Sequence, residues 1–256
     1  MKRITRISVH SRPALLGAVV MLALTSASVA AADDGPGPLG VTADAAVNRH
    51  TARIGALFGA DRANSLKGGH FCTGSVVHSP QGNLIVTAAH CVGGSDTNLL
   101  FAPGYRDGRT PFGVWKVTKR YLPDGWAKDQ DEDSDIAFAA VEGQGGRRIE
   151  DVVGGNRFMA GTATGATAVT VVGYPDSREV PIRCTNKPTP HSSTQQRIAC
   201  PAFTAGTSGS PWINGDGQVV GVLGGHEQGG STDDVSYSVV LGREAAELYR
   251  DATSGG

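Results

Sequence analysis

Three short stretches hold side chains whose types and spacing could do covalent chemistry. "GTSGSPW", residues 206 to 212, sets Ser208 among small residues, where a tight turn could present its hydroxyl as a nucleophile. Ordinary turns have the same composition, so this stretch alone leaves both readings open. "TAAHC", residues 87 to 91, ends the apolar run "NLIV" on His90, and an imidazole titrates close enough to neutrality to take a proton from serine. "DQDEDSDIAFAAV", residues 129 to 141, offers Asp129, Asp131, Glu132, Asp133 and Asp135. Acidic runs usually face water. Asp135 differs because it opens the alternating segment "DIAF", where a carboxylate can fix the tautomer of a neighbouring imidazole.

The chain order is then His90, Asp135, Ser208. A nucleophile elbow of the G-x-S-x-G kind runs serine, acid, histidine. Here Ser210 occupies the last motif position and His226 is the sole histidine after Ser208, so that reading fails on motif and order. A zinc site from His70, Cys72, His90 and Cys91 is the other chemistry to weigh. It lacks a C-x₂₋₄-C clamp, and we expect no metal and no organic cofactor.

These groups need strands to aim them. Charged residues make up 18% of the 256 and there are 36 glycines, which suits short strands joined by tight turns. From Arg53 onward come "RIGALF", "FCTGSVV", "NLIVTAA", "GVWKVTKRYL" and "DIAFAAV". A glycine-rich connection over 143–165 precedes a second set over 166–242: "ATAVTVVGY", "VPIRC", "QRIAC", "SPWIN", "QVVGVLGG" and "DVSYSVVL". Most are rich in β-branched residues and bounded by turn formers. Only "GREAAELYRDA" near the end reads as a helix (243–256 with its tail), with Ala246, Leu248 and Tyr249 available for one face. The expectation is all-β: an N-terminal unit over 53–142, a C-terminal unit over 166–242 and a terminal helix.

Residues 1–32 read as a signal peptide. Lys2, Arg3, Arg6 and Arg12 precede the apolar run Ala14 to Leu24, and small residues follow. The run is too short to serve as a membrane span, so the mature protein is expected to be secreted, extracellular and free of the membrane. Residues 33–52 read as a leader or propeptide. Removing the first thirty-two residues takes away four basic and no acidic groups, which argues against nucleic acid as a partner. In an oxidising space the four cysteines are expected as disulfides. Pairing by proximity, Cys72 with Cys91 and Cys184 with Cys200, closes two short loops worth about 3 kcal/mol each; the first would pin the loop that aims His90.

Together the three motifs resemble the chymotrypsin-like (trypsin-like) serine endopeptidases, and in particular their secreted bacterial branch of glutamyl endopeptidases. "TAAHC", "DIAF" and "GTSGSP" match the histidine, aspartate and nucleophile motifs, and "VVGYP" at 171–175 resembles a core strand of the second barrel in that branch. The resemblance implies two antiparallel six-stranded β-barrels with the site between them. It implies protein or peptide substrates, an acyl-enzyme intermediate, a monomer, and an oxyanion hole from the amides of Gly206 and Ser208. Trypsin-like relatives carry an aspartate six residues before the nucleophile, where this chain has Ala202, followed by Phe203. Glutamate-specific relatives carry a histidine where this chain has Leu223, with His226 three residues on. A substrate pocket of Ala202, Phe203 and Leu223, edged by His226, implies a preference for neutral or apolar side chains. A catalytically silent homologue that binds proteins, and a secreted esterase on the same fold, are the rival readings.

Overall fold

A computed structural model describes residues 38–94 and 98–254. The expected signal peptide, and the first residues of the expected leader, lie outside the described residues. After a short strand β1 (Thr42–Asp44), six strands close into an antiparallel barrel: β2 (Ile54–Gly59), β3 (His70–Val77), β4 (Leu84–Thr87), β5 (Leu99–Pro103), β6 (Trp115–Tyr121) and β7 (Ala137–Val141). They are hydrogen-bonded in the order β2-β3-β4-β7-β6-β5. Strand alternation explains why β4 is buried on both faces. Ile85 points into the barrel core with Trp115 and Phe101, while Leu84 and Val86 point outward against the second half. β7 divides in the same way, with Ala137, Ala139 and Val141 inward and Phe138 outward.

The second half uses β8 (Arg157–Phe158), β9 (Val169–Gly173), β10 (Ile182–Asn186), β11 (Thr189–Pro190), β12 (Gln195–Ala199), β13 (Pro211–Asn214), β14 (Gln218–Val222) and β15 (Val235–Val239). One sheet runs β1-β10-β9-β13-β14-β8 and a second runs β11-β12-β15. Both contribute to one core of Val169, Val171, Ile182, Ile198, Trp212 and Val220. They meet where Gly224 N–H donates to the Tyr237 carbonyl at 2.9 Å and Val222 N–H to Ser238 Oγ at 2.9 Å. The first barrel is therefore fully closed, and the second half is joined across this seam.

Among the described residues there are four α-helices: α1 (Ala89–Val92), α2 (Asp124–Asp129), α3 (Ile149–Val153) and α4 (Arg243–Ser254). The buried residues of α4 are Ala245, Leu248 and Ala252, one position away from the expected Ala246. Tyr249 packs its ring at 5.4 Å from Phe138 and 4.9 Å from Phe158 and donates its hydroxyl to the His78 carbonyl. The connection over 143–165 carries α3, whose Ile149 and Val153 enter the barrel core, and β8, which pairs with β14. Strand β1 lies within the segment expected as a leader, yet it pairs with β10, Thr42 opposite Cys184. Two apolar clusters bind the halves together, one around Phe138, Val222 and Leu248 and one around Phe58, Tyr105 and Tyr174. His90 and Asp135 come from the first half and Ser208 from the second.

Candidate active site

His90 sits on the one-turn helix α1, directly after β4. Ala88 and Ala89 are fully buried, so the backbone there is fixed by packing. Cys91 is joined to Cys72 on β3, with Cα atoms 6.1 Å apart, which ties α1 back to the barrel wall. Trp126 of α2 lies against the ring, with centroids 6.3 Å apart. The side chain keeps 13% of its surface exposed, enough to reach the cleft and too little to wander.

Asp135 follows a single 3-10 turn, Glu132–Ser134, and is 0% exposed. Its neighbours in the acidic run, Asp129, Asp131, Glu132 and Asp133, all face solvent. Three N–H groups converge on its carboxylate. His90 Nδ1 is 2.7 Å from Oδ2, the His90 amide donates to Oδ1 at 2.9 Å, and the Gly225 amide donates to Oδ2 at 2.8 Å. A carboxylate can only accept, so Nδ1 carries the hydrogen and Nε2 presents its lone pair to the cleft.

Ser208 lies on the turn before β13 and is half-buried. Its carbonyl accepts from the Thr73 amide at 2.7 Å, and the next residue, Gly209, has φ +84°. A Cβ at 209 would stand 2.0 Å from the Thr73 carbonyl and 2.2 Å from Thr87 Oγ1; glycine alone fits there. Among the described residues no hydrogen bond joins Ser208 Oγ to the His90 ring. In resting hydrolases that contact is commonly long and tightens around substrate.

The amide planes of the turn have a definite orientation. The Ala205 carbonyl accepts from the Asp176 amide at 2.8 Å, so the Gly206 N–H on the same trans peptide points the opposite way. The Thr207 carbonyl accepts from the Ser210 amide at 3.0 Å and from Ser210 Oγ at 2.6 Å, which turns the Ser208 N–H away likewise. Neither N–H donates to a backbone acceptor among the described residues. Backbone amides left free in this way are the kind of donor that can receive a developing oxyanion.

The expected pocket residues do not stay together. Phe203 and Leu223 are 5% and 3% exposed and belong to the second half's core cluster. Ala202 is exposed, at φ +67°, outside that cluster. His226 is partly exposed, lies against His191 with centroids 4.7 Å apart, and meets Tyr237 edge-on at 4.8 Å. Its Nδ1 lies 3.5 Å from Glu132 and its Nε2 4.0 Å from Glu227. Sequence reading missed His191, Tyr237, Thr73 and the Gly225 amide; only the first two carry a side-chain signal. The donor set weighed for zinc does not fit a metal. Cys72, His90 and Cys91 place ligand atoms within 4.8 Å of one another, but both sulfurs are spent in a disulfide and Nδ1 of His90 is engaged with Asp135. The second disulfide, Cys184–Cys200, joins β10 to the end of β12 with Cα atoms 5.8 Å apart.

The trypsin-like peptidase domain family matches residues 72–222. Protease Anisep from Arthrobacter nicotinovorans is 27% identical, with a TM-score of 0.72 over 84% of this chain and 100% of that one. Thermostable serine protease AL20, from an extremophilic microorganism, is 28% identical, with a TM-score of 0.69 over 82% of this chain and 100% of that one. A Glu endopeptidase shares the fold at a TM-score of 0.67 and 21% identity, over 85% of this chain and 98% of that one. An extracellular metalloprotease of Bacillus subtilis (strain 168) is 30% identical over 82 residues, 30% of this chain and 25% of that relative's length. With the family match spanning more than half of its length, and with a protease and a serine protease among the solved structures it resembles, the chain belongs to the trypsin-like peptidase family.

Proposed function

We propose that the protein is an exported serine endopeptidase that cleaves peptide bonds through His90, Asp135 and Ser208. The observation that carries this reading is the buried Asp135 carboxylate, which accepts from both the ring and the amide of His90. In the reaction, Ser208 Oγ attacks the scissile carbonyl as His90 Nε2 takes its proton. Asp135 holds the tautomer and stabilises the imidazolium. The Gly206 and Ser208 amides receive the oxyanion, and losing one such donor typically costs about 10²–10³ in rate. His90 returns the proton to the leaving amine, which departs and leaves an acyl-enzyme. Water, activated by the same imidazole, then releases the acid and restores Ser208. None of these steps calls on a metal or an organic cofactor.

The two disulfides support an oxidising, extracellular setting, and we propose that the mature protein acts there as a monomer. A fluorophosphonate probe tests the assignment. It should label the wild-type protein at Ser208, and Ser208→Ala should lose both label and peptidase activity while remaining folded. Absence of labelling in the folded wild type would favour a silent, protein-binding homologue. Labelling with turnover of esters but not of peptides would favour an esterase.

A further inference from the structure

We infer that Thr73 is a positioning residue for the oxyanion turn, acting through a buried γ-hydroxyl that bridges the two halves of the molecule; the inference rests on the catalytic reading proposed above. Thr73 is the fourth residue of β3 and is fully buried. Its Oγ1 accepts from the Tyr174 amide at 2.9 Å and donates to the Gly206 carbonyl at 3.1 Å. Its own amide donates to the Ser208 carbonyl at 2.7 Å. One residue of the first half thus grips the peptide planes that follow Gly206 and Ser208.

The grip matters because of the residue it holds. Gly206 has φ +89°, and glycine crosses between backbone wells with little steric resistance. The N–H groups of Gly206 and Ser208 aim correctly only while the planes around them are fixed. The Asp176 amide fixes the plane before Gly206, and Thr73 fixes the plane after it. The segment that carries Asp176 is held in turn. Tyr174 N–H is bound to Thr73 Oγ1, and the Pro175 carbonyl accepts from Nε2 of the buried His70 at 2.9 Å. Removing the hydroxyl therefore frees a carbonyl on the oxyanion turn and an amide on the loop that supports it. Valine at 73 matches the shape of threonine and lacks only this group. Serine keeps the hydroxyl and loses a methyl.

The experiment compares wild type, Thr73→Val and Thr73→Ser in the full chain with both disulfides intact. Thr73→Val should lower kcat by about 10- to 100-fold, less than the about 10²–10³ typical of losing an oxyanion donor outright because the donors are misaimed and not removed, with KM within about twofold. A peptide aldehyde, whose adduct with Ser208 places an oxygen in the oxyanion position, should lose affinity by a similar factor. The matching peptide alcohol, with no carbonyl to attack, should bind as before. Thr73→Ser should recover most of the kcat and of the aldehyde affinity. If Thr73→Val is not recovered folded, Thr73→Ala carries the same comparison; if neither folds, the hydroxyl serves the fold alone and the inference is overturned. Wild-type kcat in Thr73→Val, equal weakening of aldehyde and alcohol, or a Thr73→Ser variant as impaired as Thr73→Val would each overturn it too. Failure of the catalytic reading has a separate signature, a folded wild type that no fluorophosphonate labels, and that result takes the inference with it.

Discussion

The amide of Gly225 donates to Oδ2 of Asp135 at 2.8 Å, the same oxygen that faces Nδ1 of His90. The carboxylate that orients the imidazole belongs to the first half, and the donor that holds it belongs to the second. The docking of the halves and the alignment of the base are therefore one structural event.

Asp135→Asn keeps the shape of the side chain and can turn an NH₂ group toward His90. The imidazole then has to accept at Nδ1, which places its hydrogen on the nitrogen that should receive the serine proton. We expect kcat to fall by about 10⁴ with the fold retained. Steady-state kinetics on a peptide substrate, with circular dichroism as the control for folding, checks this.

The disulfides should separate stability from activity. Each closes a loop whose cross-link is worth about 3 kcal/mol in the chain-entropy model, so removing either pair should lower the denaturant midpoint by a similar amount. Only the paired change Cys72→Ala with Cys91→Ala should also depress kcat in the folded protein, because Cys91 adjoins His90 on α1. Equal kcat for the two double variants would count against a positioning role for Cys91.

Gly209→Ala should be far more damaging than its single methyl suggests. The new Cβ would meet the Thr73 carbonyl at 2.0 Å, at a backbone φ of +84°, so the turn that carries Ser208 has to move. A displacement of about 1 Å at the reacting atom can cost about 10²-fold in rate. We expect at least that loss in kcat/KM, measured beside labelling by a fluorophosphonate, which should slow in parallel.

Substrate choice should favour neutral or apolar side chains before the scissile bond. The imidazole that could have received a substrate carboxylate, His226, already has Glu132 at 3.5 Å and Glu227 at 4.0 Å, and two carboxylates repel a third. Ala202, six residues before Ser208, offers no charge to receive a basic side chain. A positional-scanning peptide library reads the preference directly. A dominant glutamate signal that disappears in His226→Ala would show the pocket to be assigned wrongly.

The parts of the site legible in the sequence are those whose chemistry belongs to a side chain within a short motif. His90 ends an apolar strand, Asp135 opens one, and the glycines around Ser208 announce a turn. Thr73 escaped notice because its role depends on the register of β3 against a turn more than 130 residues away. A threonine in a strand looks the same whether its hydroxyl satisfies itself locally or bridges two distant peptides. The Gly225 amide was invisible for a stronger reason, since every residue but proline has one. The fold shows the same division. The apolar run of β4 and the alternation from Asp135 into β7 were readable, but the pairing of β1 with β10 was not, because three residues inside a leader carry too little pattern to identify a partner. Ala202 is six residues before Ser208 in the sequence, and a count of positions carries no sign that the backbone there turns through positive φ.

Strand β1 has a consequence for how this protein ages in its own company. It pairs with Ile182, Arg183 and Cys184 on the outer edge of β10, a five-residue strand whose hydrogen-bonding groups there would otherwise face water. Its own exposed side is only three residues long, and it ends at Asp44, which is paired with Arg178; short length and charge are what discourage a free edge from recruiting another chain. A copy trimmed beyond Asp44, as a neighbouring protease molecule could trim it, would bare the longer edge of β10. That edge would offer a template for intermolecular strand addition, so loss of β1 would show first as aggregation.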